Sequence, residues 1–108
     1  MTKAVNNSFG DIIRYNRENY KLPLRKVAAE LDIDTSTLSK IEKNQRCANK
    51  QQVIKLAKLF GISEKDLLIN WLSEKIAHDL RYEKNVAEIL KKTANKVGHY
   101  KKLDKDLK

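Results

Sequence analysis

LRKVAAELDIDTSTLSKIEK, residues 24–43, carries two helical patterns on either side of a turn. In the first half Leu24, Val27, Ala28 and Leu31 recur at i, i+3, i+4 and i+7, the spacing of one helical face. In the second half Leu38 and Ile41 share a face, and Thr35, Ser36, Thr37, Ser39 and Lys40 fill the remainder. Asp32-Ile33-Asp34 lies between them, two turn-tolerant residues around one apolar plug. A helix with so narrow an apolar face is poor core material. Its short hydroxyls and its lysine, in a basic chain, suit insertion into the major groove of DNA.

The same spacing resembles the helix-turn-helix of the Cro/phage-repressor (XRE) family, over roughly Ser8–Leu68. Ala28 stands where that family places a small residue at the helix crossing. Val27, Leu31, Ile33, Leu38 and Ile41 match the apolar anchors around its turn. Ile41-Glu42 followed by Lys43-Asn44-Gln45-Arg46 matches its Ile-Glu and basic loop. The run from Val53 to Gly61-Ile62 looks like its fourth helix and glycine stop. Three positions depart from the pattern. Asp32 replaces the turn glycine, a left-handed position that Asp tolerates at modest strain. Pro23 replaces a capping Ser or Thr, so one cap is lost. Leu24 replaces a Gln that touches phosphate in some relatives, which leaves that contact to Arg25.

The resemblance implies an all-α fold, a compact five-helix repressor-like helix-turn-helix domain with a helical C-terminal extension. It implies a recognition helix at about 35–43, with Thr35, Ser36 and Lys40 as base readers and Arg17–Glu42 as a structural ion pair. Hydroxyls donate and accept with little selectivity, whereas lysine reaches guanine O6 and N7, so Lys40 carries most of the expected discrimination. Arg25, Thr37, Lys43, Asn44, Gln45, Arg46 and Lys50 are the expected phosphate contacts. For Arg25 and Lys26 a merely solvated face is an equal alternative.

Charge agrees with this reading. The 108 residues carry a formal +9. Residues 1–62 hold 12 basic and 6 acidic side chains, residues 63–80 hold 2 and 4, and residues 81–108 hold 9 and 4. A basic head, an acidic middle and a basic tail fit a nucleic-acid surface followed by an interface segment, although solubility alone also explains them.

Working outward, Met1–Asn7 is polar and reads as a loose arm, a weak minor-groove candidate through Lys3. Ser8 caps a first helix bearing Phe9, Ile12, Ile13 and Tyr20, which Pro23 terminates. Asn49 and Gln52 read as a capping pair for a fourth helix at about Lys50–Phe60, with Val53, Ile54, Ala57 and Phe60 inside. Gly61 stops it, and Ser63 caps a fifth. Leu67, Leu68, Trp71, Leu72, Ile76 and Leu80 then continue an apolar stripe, renewed from Val86 to Val97.

A small core cannot cover both stripes. Either the extension folds back over its own domain or it builds a dimer, with Leu68, Trp71, Leu72 and Ile76 in the interface; half-sites ~34 Å apart favour the dimer. The expected divisions are 8–69 for DNA binding, 70–97 for dimerisation and 98–108 as a charged, frayed tail.

The expected function is therefore sequence-specific binding of double-stranded DNA, at an inverted repeat, by a dimeric regulator similar in size to those of restriction-modification systems. The alternative is an antitoxin that regulates itself through the same helices; a toxin or a polymerase subunit would be the protein partner. His78, His99 and a single cysteine, Cys47, make no zinc site, and no glycine loop or nucleophile elbow is present. No cofactor, metal or catalysis is expected. The lone cysteine fits a reducing cytoplasm, with oxidant sensing the less favoured use of Cys47. The longest apolar run, Leu67-Leu68-Ile69, falls far short of the ~18 residues of a membrane span.

Overall fold

The computed structural model describes residues 8–107, so the arm Met1–Asn7 lies outside the described residues. The fold is all-helical: α1 (Phe9–Asn19), α2 (Leu24–Glu30), α3 (Thr35–Glu42), α4 (Lys50–Phe60), α5 (Glu64–Leu80) and α6 (Val86–Leu107). The described residues divide into two compact units, one ending at Ala77 and the other beginning at His78. Helix α5 thus runs unbroken through the domain boundary expected at 69–70.

In the first unit the helix starts follow side-chain capping. Ser8 Oγ accepts from the Asp11 amide at 3.1 Å, and Asp34 Oδ1 accepts from the Thr37 amide at 2.7 Å. Asn49 and Gln52 form a complete capping box, with bonds of 2.8 and 2.9 Å. Ser63 Oγ caps α5 through the Asp66 amide. Pro23 makes no side-chain cap for α2.

The ends of α1 to α4 share one device. A left-handed residue lies one position past the C-cap of α1, α2 and α3 and at the C-cap of α4, and its own amide and the next one return to carbonyls of the last turn. Lys21 (φ 55°), Asp32 (φ 57°), Asn44 (φ 60°) and Gly61 (φ 63°) hold the left-handed positions. The paired bonds are Lys21 N–H to Glu18 and Leu22 N–H to Arg17, then Asp32 to Ala29 and Ile33 to Ala28. Asn44 to Ile41 and Gln45 to Lys40, then Gly61 to Lys58 and Ile62 to Ala57, complete the set. Asp32 therefore does what the turn requires, at the strain a Cβ brings.

The core gathers Phe9, Ile13, Val27, Ala28, Leu31, Leu38 and Ile41 with Val53, Leu56, Ala57, Phe60, Leu67 and Trp71. Two expectations need correction. In α4 it is Leu56 that is fully buried, while Ile54 is only half-buried. Leu67 and Trp71 close this core rather than extending past it, and the Trp71 indole N–H donates to the buried Ala48 carbonyl at 2.8 Å. Trp71, 7% exposed, is therefore no interface anchor. A large ring with one donor finds both its apolar cover and its acceptor inside its own unit.

The second unit contains α6, which continues through Gly98 to Leu107 instead of fraying at residue 98. A single interior glycine costs about 1 kcal/mol, and the surrounding lysines and leucines are good helix formers. No side chain of α6 is buried.

Candidate nucleic-acid interface

The placement of α3 begins with a close approach. A Cβ on Gly10 would lie 2.4 Å from the Glu42 carbonyl oxygen and 2.7 Å from that of Ile41. Only glycine lets α1 press its backbone against the C-terminus of α3. Around this point four hydrogen bonds fasten the start and side of α1 to the C-terminal end of α3, and a fifth ties Arg17 to the turn after α1. Arg17 donates from Nε and Nη2 to the Glu42 carboxylate at 2.7 and 3.1 Å, and from Nη1 to the Leu22 carbonyl at 3.0 Å. Asn44 Oδ1 accepts from the Gly10 amide at 3.0 Å, and Asn44 Nδ2 donates to Ser8 Oγ at 2.7 Å. Glu42 is buried at 4% exposure, and its carboxylate raises the Arg17 guanidinium above its ordinary range against the opposing effect of burial.

With Leu38, Ile41 and Glu42 turned inward, the outer face of α3 is set by helical rotation. Ser36 and Lys40, one turn apart, stand opposite the buried face, and Thr35 is exposed at the helix start. Thr37 and Ser39 flank them, half-buried. Ile33 packs against the core and pins the turn below.

Arg25 and Lys26 stand exposed in the first turn of α2, and Lys43, Gln45, Arg46 and Lys50 are exposed in the loop after α3 and at the start of α4. The ion pairs among the described residues are Arg14–Asp11 and Arg17–Glu42; Lys40 and these loop cations are in neither, although Lys40 and Arg46 interact electrostatically with the Asp34 carboxylate. Hydrogen bonds from the Thr37 side chain and amide hold the Asp34 carboxyl below its ordinary value; Arg46 and Lys40 add to this electrostatically. The loop and the outer face of α3 thus set positive charge around one helix N-terminus.

Asn44, one of the expected phosphate contacts, is exposed and has a second role. Its amide is committed to the start of α1, which makes it a brace for α3. Sequence reading also passed over Gly10, which looks like one of three scattered glycines until α3 is laid against it. Tyr20 was read as an apolar residue; its hydroxyl donates to the Phe60 carbonyl at 3.0 Å while its ring stacks on Phe60.

Cys47 is exposed. Among the described residues no group of three His, Cys, Asp or Glu side chains is placed to hold a metal ion, and no helix is long and apolar enough to cross a membrane.

A model of the helix-turn-helix family matches residues 13–67, half of the chain, from the middle of α1 to the first turns of α5. No curated protein matches the sequence.

Proposed function

The chain belongs to the XRE/Cro-type helix-turn-helix family, a family of DNA-binding regulators, and from this we propose that it reads an inverted repeat in double-stranded DNA as a dimer. The observation that carries the reading is the outer face of α3. Its hydroxyls and its ammonium are open to solvent while its other face and its C-terminus are locked to α1. Rigid backing with an open polar face is what base readout in a groove demands.

In this reading Thr35, Ser36 and Lys40 meet base edges. Arg25, Thr37, Lys43, Gln45, Arg46 and Lys50 meet phosphates and fix the register. The dimer forms through the part of α5 that its own core leaves open. Leu72 is 49% exposed, Ile76 43% and Ile69 56%, at helical spacing on one side, with half-buried Leu68 at the edge. Reading both half-sites of an inverted repeat requires a two-fold axis that holds two copies of α3 about 34 Å apart.

Selection of bound sequences from random duplexes is the direct test. The expected result is one enriched inverted repeat, retarded in a gel by the protein at low salt. No enrichment, together with no retardation of any duplex at low salt, would end the reading.

A further inference from the structure

Helix α6 spans 22 residues and buries none of them. Most helices in proteins owe their stability to packing one apolar face, and α6, with a glycine in its interior, packs none within its own chain. Most of its large apolar residues are ordered, with Ile89 and Leu103 lying one position to the side of the line the others form. Val86, Leu90, Val97, Tyr100 and Leu107 fall on one line at heptad spacing, and the two remaining members of that line are Thr93 and Asp104. The apolar members are open, with Leu90 at 43%, Val97 at 45% and Tyr100 at 64% exposure.

We infer that this seam pairs with the same seam of a second copy, antiparallel, about a two-fold axis between Gly98 and His99. Charge decides the direction. In a parallel, in-register pair Asp104 would face Asp104 of the second copy inside the seam, and Lys96 would face Lys101 across its edge. Both pairs repel. The antiparallel pair removes both. Leu90 then meets Leu107, Val97 meets Tyr100, and Thr93 meets Asp104 of the second copy. Lys96 lies beside Leu103 and Lys101 beside Ala94, with no like charges opposed. The Thr93 hydroxyl, which donates to its own Ile89 carbonyl at 2.7 Å, is the donor that Asp104 finds after one side-chain rotation.

The lysines flanking the seam also match an anionic membrane surface. Asp104 in the middle of the apolar line opposes that occupant, because a carboxylate pressed among acyl chains loses its hydration without a partner.

The test uses the full chain with Cys47→Ser. Val97→Cys and Tyr100→Cys proteins are mixed at tens of micromolar in a thiol–disulfide buffer. The mixed disulfide should dominate over either self-linked product. In the same background Thr93→Glu, which sets a second carboxylate against Asp104, should raise the dimer dissociation constant about tenfold. Self-linked Val97→Cys as the main product would mean a parallel pair and overturn the inference. So would a dimer that persists with no crosslink in α6, or binding of a monomer to phosphatidylglycerol vesicles through this helix. Retardation of the selected operator by the same variants is scored separately, so loss of the seam leaves the DNA-binding reading standing.

Discussion

Glu42 ends α3 at 4% exposure, and its carboxylate takes two bonds from Arg17, whose side chain is 13% exposed. A pair this well buried is costly to break from one side. Glu42→Ala strands the guanidinium with only the Leu22 carbonyl, and should lower stability by about 3 kcal/mol or more in urea denaturation. A loss under about 1 kcal/mol would place the pair with ordinary surface ion pairs. If Lys40 reads bases and Arg46 holds phosphate, as proposed, the two kinds of contact separate in solution. Lys40→Ala should relax preference at one base pair per half-site at a cost of about 1–3 kcal/mol. Arg46→Ala should weaken every sequence alike and reduce the slope of log affinity against log salt by about one. Identical behaviour of the two variants would dissolve the division into readers and positioners.

At the scale of the element, α3 is a short helix whose ends are both specified. Its C-terminus rests on Gly10, where an added methyl has backbone oxygen within 3 Å and no flexible side chain to displace. Gly10→Ala should therefore force α1 and α3 apart, lowering the melting temperature by several degrees and weakening operator binding with it. Unchanged melting would show that the approach is looser. Its N-terminus rests on Asp34, whose carboxyl titrates below its unfolded value. The unfolded chain then binds the proton more readily. The contribution is complete above the unfolded value, near pH 4, and fades as pH falls through the lower folded one. Asp34→Asn keeps an uncharged cap, so between pH 7 and pH 3 it should lose less stability than the parent chain. Equal acid losses in both proteins would exclude Asp34 as a source.

For the whole molecule, the question is what covers the apolar surface left open on α5. Leu72 and Ile76 belong to a helix whose other side closes the core through Leu67 and Trp71. Leu72→Lys and Ile76→Lys avoid that core, so they should leave melting of the domain nearly unchanged. If this face joins two copies, each should raise the dimer dissociation constant by about tenfold, the scale of losing one buried aliphatic contact. Sedimentation or light scattering across a dilution series reads this directly, and an unchanged constant would remove α5 from the interface.

Much of this protein was legible from local chemistry. Caps, stops and apolar periodicity act over four to eight residues, so Ser8, Asp34, Asn49, Gly61 and Ser63 announce their helices wherever the chain goes. The outer face of α3 was legible too, because rotation alone separates Ser36 and Lys40 from Leu38 and Ile41. What lay beyond local reading depended on distance in sequence. Trp71 looked like an exposed anchor until Ala48, 23 residues earlier, supplied its acceptor. Nothing local announces that Asn44 bonds the start of α1, 34 residues away. Gly10 has no pattern at all; its necessity comes from a carbonyl 32 positions along the chain. Periodicity tells which side of a helix is apolar. Only the packed structure decides which apolar side chains the chain keeps for itself and which it leaves open, since both have the same affinity for leaving water.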